Sequence, residues 1–147
     1  TPSSHLQLSL ALPKHPTKAL LQIPAKSQPI PNPVMATTIQ KFKLIFFVPQ
    51  SSLSACKTAI FAAGAGRYPG PGGYTECCFV SKGLGQFRPG DAANPNIGEV
   101  GKLEEVEEVR LETICLGREV AVKAVEALKK AHPYEEPAYE IYKIEDM

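Results

Sequence analysis

The sequence lacks the features that mark a nucleic-acid-binding or membrane-spanning chain. No Asp or Glu occurs before Glu76, and the folded part is close to neutral: from residue 35 onward, 13 Lys and Arg accompany 15 Asp and Glu. A nucleic-acid-binding domain is expected to carry a clustered basic surface, and no such run is present. No apolar run approaches the length needed to cross a bilayer. These absences predict no nucleic-acid partner and no membrane span.

The sequence also lacks the cysteine spacing of zinc fingers and disulfide frameworks. Its four cysteines, Cys56, Cys77, Cys78 and Cys115, include no C-x-x-C pair. Adjacent residues of a strand point to opposite faces, so Cys77 and Cys78 cannot clamp one ion together. We expect reduced, buried thiols in an intracellular protein.

Histidine is scarce where a catalytic site would need it. Between residues 40 and 147 the only histidine is His132. No Ser-His-Asp or Cys-His arrangement can be justified on one histidine, so the sequence predicts no catalytic residue, and an enzyme is the least favoured class.

Residues 1–34 differ in composition from the rest of the chain. They hold seven of the fourteen prolines and no acidic residue. Proline prevents a continuous helix, and too little apolar surface is present for independent folding, which predicts a disordered leader before a domain at 40–147. Lys and Ser without acids also resemble a transit peptide, although Arg is absent. We expect a cytoplasmic location, with a mitochondrial one as the alternative; in another interpretation Met35 is the natural start and the leader is an artefact.

The hydrophobic pattern of the remaining sequence predicts an α+β domain. Its strands and helices alternate in the order β-α-β-β-α-β, which is the ferredoxin-like arrangement of a four-stranded antiparallel sheet with both helices on one face. The irregular segment 81–101 is predicted to hold at most a small hairpin around residues 86–88. The predicted strands cover 41–48, 74–80, 107–116 and 137–144, and the helices run from Ser51 or Ser52 to Gly64 and over 117–131.

The first predicted strand is apolar on both sides. Phe42, Leu44, Phe46 and Val48 alternate with Ile45 and Phe47. The sheet face without helices is therefore expected to be partly buried against another subunit.

Three stretches resemble a known family. They are AAGAGR at 62–67, GLGQFRPGDAANPNIGEVGK at 83–102 and HPYEEPAYEIY at 132–142. Together they look like the YqfO-type domain of the Nif-three-like (Ngg-interacting factor) family. The resemblance implies a fold shared with the CutA divalent-cation tolerance proteins, the PII nitrogen regulators and the C-terminal domain of ATP phosphoribosyltransferase. It also implies a homotrimer that binds small effectors or metals.

In longer Nif-three-like proteins this module is inserted in a larger domain that carries a dinuclear metal site. The His and Glu ligands of that larger domain have no counterpart in this sequence. We therefore expect an oligomeric binding or regulatory module that does not open the ring of GTP. The alternative is a divalent-metal-binding protein of the CutA kind.

Two glycine-containing segments are candidates for ligand binding. The turn from Gly64 to Arg67 resembles a phosphate-binding loop with Arg67 as the cation, but it opens no helix, so a helix-terminating turn is favoured. In the long segment after the second strand, Gly83, Gly85 and Gly98 could form a ligand lid with Arg88 as an anion partner. The alternative is a rigid hairpin that braces a subunit interface.

One segment combines an imidazole with two carboxylates. His132, Glu135 and Glu136 lie within five positions, and prolines restrict the backbone between them. If a divalent metal is bound, these side chains are its predicted ligands, with a group from a neighbouring subunit or a water completing the shell. The alternative is a helix stop in which His132 offsets the C-terminal dipole.

Overall fold

The computed structural model describes residues 38–147, and the predicted leader lies outside this range. No helix in that range is long and apolar enough to cross a membrane. The strands are β1 (Lys41–Pro49), β2 (Cys78–Phe87), β3 (Glu104–Leu116) and β4 (Tyr139–Ile144), and the helices are α1 (Leu53–Ala62), which follows a short 3₁₀ turn, and α2 (Arg118–Ala131).

The four strands form one antiparallel sheet in the order β2-β3-β1-β4. With α1 between β1 and β2, and α2 between β3 and β4, this is the ferredoxin-like arrangement. The predicted fold class is therefore confirmed.

The core lies between the two helices and one face of the sheet. In β1 and β3 the alternate residues Leu44, Phe46, Val109 and Leu111 are fully buried. They pack in one cluster with the helix residues Cys56, Ile60, Ala121, Ala124 and Leu128. The period of two in the strands and the spacing of three to four in the helices thus place the apolar residues of both on the same side.

The other sheet face, which we call the open face, is apolar in part. Ile45 of β1 is only 4% exposed there, whereas Phe79 of β2 is 66% exposed. The register pairs Ile45 with Glu112, so both residues lie on the side of the sheet opposite the core. The prediction that β1 carries apolar residues on both faces is therefore confirmed.

The second strand differs from its prediction. It covers Cys78–Phe87 rather than 74–80, and no separate hairpin forms around residues 86–88, because Gln86 and Phe87 end β2 opposite Glu105 and Glu104. Glycine disfavours strands locally, but the ladder to β3 overrides that preference. The irregular connection is therefore confined to residues 88–103.

The turn after α1 closes the helix as predicted. Gly64 has a positive φ of 100°, and the amides of Gly64 and Ala65 bind the carbonyls of Phe61 and Ile60. This pair of bonds is the Schellman motif, which ends a helix by satisfying its last carbonyls. The helix-terminating interpretation of this turn is confirmed.

Candidate functional site

A groove of about 610 Å³ lies at one end of the open face. Its floor is formed by β2 and β3, and its walls by the connection after β2 and by the segment between α2 and β4. Small-molecule sites commonly have volumes of about 300–1,000 Å³. The groove therefore has the size of a site for a small organic ligand.

Glycine leaves the floor of the groove bare. Gly83 lies opposite Glu108 in the ladder, and a Cβ placed on Gly83 would meet no atom within 4 Å. A Cβ on Gly85, in contrast, would collide with the carboxylate of Glu108. The absence of a side chain at position 85 thus allows the Glu108 carboxylate to lie against the β2 backbone.

Aromatic side chains form the walls. Phe47, Phe87 and Tyr134 all line the groove, and the rings of Phe87 and Tyr134 are tilted with centroids 6.2 Å apart. The hydroxyl of Tyr134 is buried and has no hydrogen-bond partner within residues 38–147. Burial, and then the nearby Glu108 carboxylate, raise the pKa of Tyr134 well above its usual value.

His132 holds the backbone at Tyr134 in place through two hydrogen bonds. Its Nε2 donates to the carbonyl of Phe47 at 2.8 Å, and its Nδ1 accepts from the amide of Tyr134 at 3.1 Å. Both bonds require the neutral Nε2–H tautomer. Burial lowers the pKa of His132, against smaller opposing effects of the Phe47 carbonyl and Glu108. The imidazole is therefore a positioning group that joins the end of α2 to β1.

Two polar contacts hold the connection after β2 over the groove. Arg88 Nη1 donates to the carbonyl of Gly101 at 2.6 Å, which ties the two ends of the connection together. The backbone amide of Asn94 donates to Glu135 Oε1 at 2.9 Å, which ties the connection to the opposite wall of the groove. The guanidinium of Arg88 thus has a structural partner at the rim.

The charged residues further along the open face neutralise one another. Arg110, which lines the groove, forms a salt bridge with Glu112. Lys43 approaches the same carboxylate at 3.6 Å. The cation of Arg110 is therefore already paired.

The structure brings five of the predicted site residues together and separates the others. Gly98 has a φ of 83° and lies against the side chain of Glu104, next to the groove lining. Arg67 is exposed on the connection between α1 and β2 and does not line the groove. The five residues that line it are Gly83, Gly85, Arg88, Glu135 and Glu136.

The structure does not gather the predicted metal ligands. Within residues 38–147, no group of three His, Cys, Asp or Glu side chains is placed to hold a metal ion. His132 is 7% exposed with both ring nitrogens engaged, and Glu135 accepts the Asn94 amide. Metal binding by His132, Glu135 and Glu136 stays a prediction, and it requires His132 to give up a buried hydrogen bond.

The cysteines differ in burial. Cys56 and Cys115 are buried as predicted, and burial raises their pKa, that of Cys115 to about 11. A thiol with a raised pKa is a poor nucleophile. The prediction of burial is wrong for Cys77 and Cys78, which are half-buried beside the start of β2 because the edge strand is covered on one side only.

Three groove residues were not among the sequence candidates. The sequence places Phe47 and Glu108 in predicted strands and Tyr134 beside His132, and nothing in those local patterns marks them as site residues. The signal that could have found Glu108 is its place in β3 opposite Gly83, which becomes visible only when β2 is extended to Phe87. Sequence alone gives no such register.

No family model matches the chain. A Bacillus subtilis protein named GTP cyclohydrolase 1 type 2 homolog is 47% identical over 103 residues, which are 70% of this chain and 26% of that protein. The crystal structure of a Bacillus cereus protein related to NIF3 matches with 37% identity and a TM-score of 0.61, over 74% of this chain and 26% of that one. The predicted resemblance to the YqfO-type domain of the Nif-three-like family is therefore confirmed.

The fold of this domain is also that of CutA. The periplasmic divalent cation tolerance protein CutA from Archaeoglobus fulgidus is 14% identical with a TM-score of 0.52, covering 73% of this chain and 86% of that one. At that identity the likeness concerns the fold alone. The chain spans about a quarter of the length of the curated relatives it matches.

Proposed function

We propose that this Nif-three-like domain is an effector-binding module whose ligand site is the groove on the open face. The observation that carries the proposal is a concave site with a glycine floor, aromatic walls and a buried Tyr134 hydroxyl without a partner in the described part of the chain. Buried polar groups are nearly always hydrogen-bonded in native proteins, so an unpartnered hydroxyl in the wall of a groove suits a ligand that supplies the missing bond as the wall adjusts to it.

A Gly83→Val variant should block the groove without harming the fold. Its side chain would enter open space above the floor, and a β-branched residue suits a strand better than glycine does. We expect stability to stay the same or rise by about 0.5–1 kcal/mol while ligand affinity falls at least tenfold. Indole is a suitable neutral probe, because the chain contains no Trp and a change in indole emission on binding is then free of tryptophan fluorescence from the protein.

A matched control for this variant lies outside the groove. Val122→Ala changes an exposed residue of α2 and should leave indole binding unchanged. Equal indole affinity of the parent and Gly83→Val, with both folded by thermal unfolding, would contradict the groove as the site, as would absence of any indole binding by the parent.

We also propose that a second and a third copy of the chain cover the remainder of the open face. Phe79 and Tyr142 are 66% and 53% exposed on this face. Exposed apolar patches of this kind commonly mark protein interfaces. Light scattering at micromolar concentration should give three times the chain mass, and Phe79→Ser should lower it, whereas a monomeric mass for the parent would refute the assembly.

A further inference from the structure

The polar groups of the groove differ in whether they already have partners. Arg110 is paired with Glu112, Arg88 binds the Gly101 carbonyl and Glu135 accepts the Asn94 amide. Among the described residues, the Glu108 carboxylate forms no salt bridge, and the Tyr134 hydroxyl, which lies close to that carboxylate, has no hydrogen bond of ordinary geometry. Glu108 is therefore an acidic group of the groove that no cation of the described residues neutralises.

These two groups lie together at the inner end of the groove. The Glu108 carboxylate is half-buried and lies against Gly85, and it is close enough to Tyr134 to act on the titration of the phenol. The side chain of Lys82 cannot readily neutralise it, because Lys82 pairs with Val109 and so projects toward the other face. A half-buried carboxylate without a cation is destabilised by its lost hydration, which a bound cation would offset.

We propose, on the basis of the groove being the ligand site, that it recognises a small organic cation with an apolar, planar body. An amidinium, guanidinium or protonated amine supplies several N–H donors for the Glu108 carboxylate and the oxygen of Tyr134. Its body lies between the rings of Phe47 and Phe87. Charge-assisted hydrogen bonds to a carboxylate are stronger and more directional than neutral ones.

An anionic ligand is disfavoured by the same arrangement. Glu108, Glu135 and Glu136 all line the groove, while Arg110 is paired with Glu112 and Arg88 is held at the rim by its bond to the Gly101 carbonyl. A phosphate or carboxylate placed at the inner end would face Glu108 directly and would be repelled. The prediction of Arg88 as an anion partner is replaced, in this proposal, by Glu108 as a cation partner.

The test compares probes of similar size and different charge. Benzamidine, benzoate and indole share a planar apolar body, and the affinities of the first two can be measured by displacement of indole. We expect benzamidine to bind at least tenfold more tightly than benzoate, and this preference to shrink at high salt. Millimolar affinity for benzamidine is the expected range for so small a ligand.

Two variants test which residues cause the preference for benzamidine over benzoate. Glu108→Gln keeps the shape of the side chain and should reduce benzamidine affinity at least tenfold with little change for indole, and Tyr134→Phe should reduce it several-fold. Glu107→Gln is the control, because Glu107 is the exposed neighbour on the opposite face of β3 and its substitution should have no effect.

Two results would show that the cation assignment is wrong while the groove remains the site. In the first, indole binds in the groove but benzamidine binds no more tightly than benzoate. In the second, Glu108→Gln behaves like Glu107→Gln. If indole does not bind either, the site itself is wrong.

Discussion

Gly66→Ala should destabilise the domain by about 2–4 kcal/mol, which is a large share of the stability of a domain this size. Gly66 has a φ of 75°, where residues with a Cβ are disfavoured. A Cβ would also lie 2.7 Å from the ring of Phe61 and 2.9 Å from the backbone nitrogen of Cys77. The affected turn joins α1 to the sheet, since the Gly66 amide binds the Ile114 carbonyl at 2.8 Å.

A substitution at a second glycine, Gly73, separates the cost of steric overlap from the cost of the positive φ. Gly73 also has a positive φ, of 62°, but a Cβ there would meet nothing within 4 Å. Gly73→Ala should therefore cost only about 1 kcal/mol. Urea unfolding of the two variants checks the difference, and equal losses would show that Gly66 is not packed against Phe61 and Cys77 as described.

His132→Ala should cost about 2–4 kcal/mol at pH 7.5, because it leaves the Phe47 carbonyl and the Tyr134 amide without partners in a buried place. The parent should also lose stability as the medium becomes acidic. The pKa of His132 is lowered in the folded state from an ordinary value of 6.5, so the unfolded chain binds the proton first. The contribution of the neutral imidazole is complete above pH 6.5 and is lost as the pH falls from 6.5 toward the folded pKa.

The acid effect can be isolated by comparison with a residue that does not titrate. His132→Gln can still donate to the Phe47 carbonyl, so the difference in unfolding free energy between the parent and this variant should shrink from pH 7.5 to pH 5.5. The titration of the carboxylates changes the unfolding free energy of both proteins alike, so this contribution cancels in the difference. A difference that is constant with pH would show that His132 is not held neutral.

The fold was predictable because its elements are marked by local patterns. Alternation in residues 41–48 and 107–116 and the apolar stripe of α2 each follow from periodicity alone. Strand β2 was misplaced because Gly83 and Gly85 weaken the local strand signal, and only the pairing with β3 shows that the strand continues.

The site was predictable only in part, for a related reason. The glycine-rich sequence predicts that Gly83, Gly85 and Arg88 belong to a binding segment, and they do line the groove. Glu108 and Tyr134 come from segments distant in sequence, and what distinguishes them is that the fold brings them together in the groove. Imidazole suits metals, which makes His132 a predicted ligand, but its hydrogen bond to the Phe47 carbonyl depends on β1, which the local motif does not contain.

Mapping of indole binding on the amide spectrum of the ¹⁵N-labelled chain tests the central claim most directly. The account predicts the largest shifts at Gly83, Gly85, Phe87 and Gly90, which line the groove, and their loss in Gly83→Val. Shifts confined to the shallower pocket of about 370 Å³ beside Tyr68 and Cys77, or no shifts at all, would contradict the account.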